Sequence, residues 1–206
     1  MKIHKIQVGM LGTNCYIIGD TGEEGVIIDP GANAETIKRV IKSEGIIPKE
    51  ILLTHGHFDH IGAVRELMEE YGIKVRIHKA DREMLLDPES FWGFKMNFKA
   101  PECDEEDCIK DGDVLEVGKY KIAVYHTPGH SRGSVVYMIE DALITGDTLF
   151  EGSIGRTDFE GGDMSQMKES LKRLSRLEGD YKIYAGHGED TSLEYEKENN
   201  MYMRRL

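Results

Sequence analysis

Cysteine and long apolar runs are both scarce in this sequence. The 206 residues include three cysteines, an odd number without zinc-finger spacing, so a disulfide framework is not expected. No window approaches the ~18 apolar residues that span a bilayer, and the N-terminus lacks the apolar segment of a signal peptide. These absences predict a cytoplasmic protein without a membrane partner.

Basic residues are also in short supply. Lys and Arg number 26 against 38 Asp and Glu, which gives a formal net charge of −12 at pH 7. A surface that tracks the phosphates of a nucleic acid needs an excess of cations, so nucleic acid is not an expected partner. A cleft can still be locally positive, because bound divalent cations dominate the charge of their surroundings.

The apolar patterns follow the same order twice along the chain. Strand patterns at 2–8, 14–18, 26–29 and 50–53 precede a helical pattern that starts near Ile61, and Asn33 is expected to cap an intervening helix. Strand patterns at 114–117, 121–125, 134–139 and 142–145 precede a helix over 165–177. This order predicts an α+β fold in one domain (residues 1–206): a four-layer αββα sandwich with the loop ends of both halves around one cleft.

Metal-binding residue types are concentrated in one short segment. Thr54-His55-Gly56-His57-Phe58-Asp59-His60 holds three of the eight histidines and a carboxylate, directly after the apolar run at 51–53. Imidazole and carboxylate are ligands for zinc, iron and similar cations. The end of a strand that leads into a helix is a common place for ligand sites. The segment therefore predicts a metal site.

Three later strand patterns end in a similar way. Each is followed by a polar residue beside glycine, namely His130, Asp147 and His187. Glycine lets the backbone take unusual dihedral angles and approach a metal closely. A single histidine of this kind is usually structural, but the joint pattern favours ligands that meet at one centre.

The spacing of these residues resembles the metallo-β-lactamase superfamily. The resemblance extends to Asn14-Cys15-Tyr16 and Asp29-Pro30-Gly31, and the segment 152–158 after Asp147 is similar to short bacterial glyoxalase II-like members. The resemblance implies a first metal bound by His55, His57 and His130. It implies a second metal bound by Asp59, His60 and His187, with Asp147 bridging the two. Asp29 and Arg156 are implied to support these ligands.

The same resemblance implies a metal-dependent thioesterase similar to hydroxyacylglutathione hydrolase. Two divalent metal ions, zinc in the first place and iron or manganese otherwise, would share a hydroxide nucleophile. Asp59 is the expected catalytic residue, as a ligand that also accepts a hydrogen bond from the nucleophile. A thiolate, with a pKa of roughly 8.5, can leave without a general acid. The expected substrate is a small thioester or ester.

Other functions remain open from the sequence. A single iron held by His55, His130 and Asp147 would suit oxygen chemistry, as in related persulfide dioxygenases. Lactones or β-lactams are alternative substrates. A non-enzymatic metal-holding module would use the aromatic segment 91–98 as its contact. The long segment 87–110 is expected to form either a lid or a surface excursion that packs its own aromatics, and it is also a possible dimer contact.

Overall fold

The computed structural model describes residues 1–93, 95–96 and 98–206. Its first sheet contains β1 (Lys2–Val8), β2 (Thr13–Gly19), β3 (Glu24–Ile28), β4 (Ile47–Leu52) and β5 (Lys74–Arg76), hydrogen-bonded in that order. The second contains β6 (Val114–Val117), β7 (Tyr120–His126), β8 (Val135–Ile139), β9 (Ala142–Gly146), β12 (Lys182–Ala185) and β13 (Thr191–Ser192). Its strand order is β13-β12-β9-β8-β7-β6. Between β9 and β12 lies a short hairpin of β10 (Leu149–Phe150) and β11 (Ser153–Ile154).

The helices lie between and after these strands. They are α1 (Ala34–Glu44), α2 (Phe58–Ile61), α3 (Val64–Tyr71), α4 (Arg82–Leu86), α5 (Pro88–Trp92), α6 (Met164–Ser175) and α7 (Leu193–Asn199). None of the helices in the described part of the chain has the length and apolar character needed to span a bilayer.

Three buried apolar clusters separate four layers. The middle cluster joins the two sheets through Tyr16, Ile28, Val124 and Tyr137. One outer cluster packs Ile17 and Ile51 of the first sheet against Ile37 of α1 and Leu67 of α3. The other packs Val136 and Leu143 of the second sheet against Met167 and Leu171 of α6. Neighbouring residues of β2 point to opposite faces, as a strand buried on both sides requires. The predicted αββα sandwich is confirmed.

Two local predictions need correction. Asn33 precedes α1, but its side chain does not cap the helix; its Oδ1 accepts a hydrogen bond from the Gly9 backbone N–H at 2.8 Å. The helix expected near Ile61 is divided into α2 and α3. The Ala63 N–H donates to the Pro30 carbonyl at 2.9 Å instead of continuing the first helix. This bond holds the loop after β3 against the histidine cluster.

A pair of stacked histidines lies where the first sheet meets the second half of the chain. The rings of His78 and His126 are 4.0 Å apart and nearly parallel. His78 Nδ1 accepts a hydrogen bond from the Ala80 N–H, which requires a neutral ring. Burial and the neighbouring His126 lower the pKa of His78 to about 4, and Asp111 and Asp113 only partly oppose this.

This histidine predicts acid sensitivity. Between pH 6.5 and 4 the unfolded chain takes up a proton at His78 that the folded protein does not, so the free energy of unfolding should fall as the pH falls through this range. His78→Asn keeps a helix-capping acceptor without the titrating ring. We expect urea unfolding at pH 7 and 4.5 to show a smaller pH dependence for this variant than for the parent. His4→Asn is the control, and an equal pH dependence in all three proteins would contradict the assignment.

Candidate metal centre

The two halves of the fold bring all seven predicted ligands to one cleft. The segment 53–57 follows β4, His130 lies between β7 and β8, and Asp147 and His187 follow the parallel strands β9 and β12. Because parallel strands end at the same edge of a sheet, the last two ligands are neighbours. The cleft is a cavity of about 540 Å³.

The ligand atoms form two sets. In the first, one atom each from His55, His57 and His130 lie within 4.8 Å of one another. The second set has the same spacing and consists of Asp59, His60 and His187. Asp29 with His55 and His60 also meets this spacing. However, both Asp29 oxygens already accept hydrogen bonds, so we assign Asp29 a supporting role.

Asp147 lies between the two sets. Its Oδ2 is 3.4 Å from Nε2 of His130 in the first set and 3.6 Å from Nε2 of His187 in the second. Its Oδ1 is 3.6 Å from Nε2 of His60. One carboxylate therefore faces both sets, as a bridging ligand must.

Five buried atoms of the predicted ligands have no hydrogen-bond partner among the described residues. They are the Nε2 atoms of His55, His57, His60 and His130, and Oδ1 of Asp147. Buried polar atoms are normally satisfied, because an unsatisfied one costs about 1–3 kcal/mol. Potential ligand atoms that converge without protein partners fit bound cations. The residues present therefore fit a two-metal centre, with nitrogen and oxygen donors that suit zinc, iron or manganese.

Hydrogen bonds fix which nitrogen of the histidines faces the cleft. Thr54 Oγ1 donates to Asp29 Oδ2 at 2.6 Å, so it must accept from His55 Nδ1, which lies 3.0 Å away. His60 Nδ1 lies 2.9 Å from the same Asp29 oxygen. His130 Nδ1 lies 2.7 Å from the Arg156 carbonyl. In all three rings the Nε2 is left for a metal, as is usual for metal-binding histidines.

His57 of the first set and His60 of the second differ in protonation state when no cation is bound. Burial lowers the pKa of His57, and together with the effects of His130 and His60 it brings the value to about 2. Burial also lowers the pKa of His60, but the carboxylates of Asp29, Asp59 and Asp147 outweigh it and raise the value to about 10. His57 is thus a neutral ligand at pH 7, whereas His60 carries a proton that an incoming cation must displace.

Asp59 supplies the carboxylate of the second set. Its Oδ2 accepts from Thr13 Oγ1 at 2.9 Å and lies 3.2 Å from His187 Nε2. Burial raises the pKa of Asp59, but the charge of His60 and the hydrogen bonds from His187 and Thr13 outweigh this, so the net shift is downward. The carboxylate stays ionised and can act as a ligand.

The two predicted supporting residues act differently. Asp29 is buried and contacts His60 directly and His55 through Thr54. The Arg156 guanidinium instead pairs with Asp158 at 2.7 Å and lies over the Phe159 ring. Arg156 supports His130 through its backbone carbonyl, which any residue type could provide.

The segment Asn14-Cys15-Tyr16 supports His187 from the neighbouring sheet. Asn14 Nδ2 and Tyr16 Oη both donate to the carbonyl of Ala185, at 2.9 and 2.6 Å. Gly186 is needed here, because a Cβ at this position would collide with Oδ1 of Asp147. Glycine thus lets the strand end approach the bridging carboxylate.

No sequence pattern indicated a role for Asp81, which is fully buried beside the first set. Its Oδ2 accepts from the Gly56 N–H and the Ser131 hydroxyl, at 3.1 and 2.6 Å, and its Oδ1 accepts from the Gly133 N–H at 2.6 Å. Gly56 lies between two predicted ligands and Ser131 follows a third. One carboxylate therefore joins the two loops that carry the first set.

Aromatic side chains form one wall of the cleft. The Trp92 ring lies 5.0 Å from that of His57, 5.3 Å from Phe58 and 5.6 Å from Phe159. Trp92 belongs to α5, so part of the segment 87–110 lines the cleft. Phe98 packs against the first outer cluster. Phe94 of the predicted aromatic segment lies outside the described residues.

Known proteins are similar to this chain over nearly its whole length. The family described as the metallo-beta-lactamase superfamily matches residues 8–187. The probable metallo-hydrolase YqgX of Bacillus subtilis is 36% identical over 98% of both chains. The hydroxyacylglutathione hydrolase GloC of Haemophilus influenzae is 33% identical, again over 98% of both.

Two solved structures have a similar fold. The BLEG-1 B3 metallo-beta-lactamase has a TM-score of 0.90 and 35% identity, over 98% of this chain and 99% of that one. TTHA1623 in a di-iron-bound form has a TM-score of 0.84 and 34% identity, over 97% and 99%.

Proposed function

The chain belongs to the metallo-β-lactamase superfamily of metal-dependent hydrolases, and from this premise we propose that it hydrolyses thioesters at a two-metal centre. The observation that carries the proposal is the group of five unpartnered ligand atoms arranged in two sets around Asp147. The relatives support it: GloC is named as a hydroxyacylglutathione hydrolase, and TTHA1623 holds two irons.

Two bound divalent cations would lower the pKa of a shared water from 15.7 toward ~7 and polarise the substrate carbonyl. The residues of the chain prepare this chemistry. Asp147 supplies negative charge between the two sets, which reduces the repulsion of two dications at close range. Asp59 is a ligand of the second set, and its carboxylate can also accept a hydrogen bond from the attacking water. The aromatic wall of Trp92, Phe58 and Phe159 excludes bulk water from one side.

The cavity lining favours a leaving group that needs no proton. Apart from the proposed ligands, the described lining residues with hydrogen-bonding side chains are Trp92, Ser153 and Arg156, and none of these side chains is an acid near neutral pH. In thioester hydrolysis water adds to the carbonyl carbon, the C–S bond breaks, and sulfur leaves with the electron pair as a thiolate. A thiolate is stable enough to leave unprotonated, whereas the nitrogen of an amide is not.

We expect protein purified without added metal to contain two metal ions per chain. The metal-loaded protein should hydrolyse S-lactoylglutathione or simpler acyl thioesters faster than the free metal does. His57→Gln should lose metal from the first set and His4→Gln should retain both ions, which elemental analysis can measure. Absence of thioester hydrolysis above free metal would contradict the proposal. One iron per chain with oxygen uptake on glutathione persulfide would indicate the dioxygenase alternative, which leaves Asp59, His60 and His187 without a role.

β-Lactam hydrolysis is a second candidate, because the BLEG-1 structure is described as a B3 metallo-beta-lactamase. The same cleft could bind a strained amide, but its nitrogen must gain a proton when it leaves. Parallel assays on a penicillin and on acyl thioesters distinguish the two. We expect the higher kcat/KM on the thioester, and the opposite order would favour the second candidate.

A further inference from the structure

A second cavity adjoins the metal centre. It measures about 420 Å³, within the range of small-molecule sites. Three residues line both cavities: Leu11, Phe58 and Asp59. Since Asp59 belongs to the second ligand set, the second cavity begins directly beside the atoms that would hold a metal. The two cavities are therefore neighbours that share part of one wall.

The walls of the second cavity are mainly apolar. Besides the shared residues they consist of Gly9, Met10, Gly31, Ala32, Lys95, Met96 and Phe98. Met10 and Leu11 stand at the tip of the β1–β2 hairpin and are strongly exposed, 104% and 58% relative to an extended chain. Large apolar side chains exposed at the rim of a cavity mark a surface that an apolar ligand can cover.

The charged residues that line the second cavity are Asp59 and Lys95. Lys95 is exposed and makes no ion pair with any described residue, and its methylene stem can line the cavity while its ammonium group stays in water. The metal cavity differs, because it includes Ser153 and Arg156. A substrate with one apolar arm and one polar arm would match the two cavities.

We propose that the second cavity binds the acyl chain of the thioester substrate and that this chain is apolar. The inference rests on the proposed function and names its substrate class. The polar thiol carrier then lies on the side of Ser153 and Arg156, from which it leaves after the C–S bond breaks. The acyl chain lies between the hairpin tip and Phe98, where it covers Met10 and Leu11.

A chain-length series tests the proposal. Acyl thioesters of N-acetylcysteamine from acetyl to octanoyl share one thiol and differ only in the buried chain. Each methylene that leaves water should raise kcat/KM by about four-fold until the cavity is full. The matched series, acetyl thioesters of alkanethiols of increasing length, should show no comparable slope. If kcat/KM rose with chain length in the alkanethiol series and not in the acyl series, the proposal would be overturned.

Variants test the location of the chain. Ala32→Leu places three extra carbons in the second cavity and should reduce the ratio of kcat/KM for octanoyl over acetyl substrate by at least about ten-fold. Ala123→Leu makes the same change in β7, outside both cavities, and should keep the parent ratio. An unchanged ratio in Ala32→Leu, with normal folding by circular dichroism, would contradict the proposal.

Binding can be measured without turnover. Trp92 is the single tryptophan of the chain, and its ring lies 5.3 Å from Phe58, which lines both cavities. An octanoyl ketone analogue, in which CH2 replaces the sulfur, should change Trp92 fluorescence and bind more tightly than the acetyl analogue, and Ala32→Leu should weaken this preference. Hydrolysis of acetyl thioester without any chain-length preference would refute only the acyl cavity. Tight binding of the octanoyl analogue without hydrolysis of any thioester would refute only the proposed reaction.

Discussion

Replacing Asp147 by asparagine is expected to lower kcat/KM for thioester hydrolysis by on the order of 10³-fold, as large as the effect of removing a principal electrostatic contact in an enzyme. Asp147 faces Nε2 of His130, His60 and His187 at 3.4–3.6 Å. Asparagine keeps the volume but removes the negative charge between the two ligand sets. Two dications would then repel each other with less compensation.

Metal content and steady-state kinetics measured on the same samples test this expectation. We expect Asp147→Asn to bind fewer than two metal ions per chain at a metal concentration that saturates the parent. Asp141→Asn, at an exposed position just before β9, is the matched control and should behave as the parent does. Near-parental activity of Asp147→Asn with two ions bound would exclude Asp147 as the bridge.

Much of this centre could be predicted from the sequence because its side chains carry a strong local signal. His55, His57, Asp59 and His60 lie within six positions, and the later ligands each follow a strand. The apolar patterns also predicted the two sheets, since β2 and β9 are buried throughout their length. Such a pattern depends on residue type alone, so no coordinates are needed to detect it.

Other parts of the centre carry no such signal. The Arg156 carbonyl supports His130 through a backbone atom, which is chemically the same in every residue. Thr13 donates a hydrogen bond to Asp59 only because the β1–β2 hairpin lies beside the cleft. Asn33 has the residue type of a helix cap, yet it bonds to Gly9 in that hairpin. Tertiary contacts decided these cases, and residue type alone could not predict them.

Asp81 illustrates this limit most clearly. An aspartate just before a helix is typical of an N-cap, and Asp81 directly precedes α4. Its side chain does not cap that helix; it reaches the Gly56 and Gly133 backbones and the Ser131 hydroxyl instead. Burial raises the pKa of the Asp81 carboxyl, and the three hydrogen bonds oppose that rise. Burying this carboxylate is costly, and all of its hydrogen-bond partners named above lie in the two loops that carry the first set. Asp81 therefore has a role in positioning those loops.

Replacing Asp81 by alanine should therefore destabilise the protein strongly. The change leaves two buried N–H groups without an acceptor, at about 1–3 kcal/mol each, so we expect the free energy of unfolding to fall by about 2–6 kcal/mol. Urea unfolding of the metal-free protein measures this loss. Asp104→Ala removes an exposed carboxyl that caps nothing and should change stability by less than about 0.5 kcal/mol.

The milder Asp81→Asn variant separates positioning from folding. Its amide oxygen can still accept from one of the loops, but its NH2 group donates and cannot satisfy the other. The first set should then bind metal about 10–100-fold more weakly, whereas the set of Asp59, His60 and His187 keeps its affinity because its supporting residues are Asp29 and Thr13. Competitive titration with a chelator resolves the two affinities. Equal weakening of both sets would mean that Asp81 only stabilises the fold, since a loop-positioning residue must affect the histidines that its loops carry.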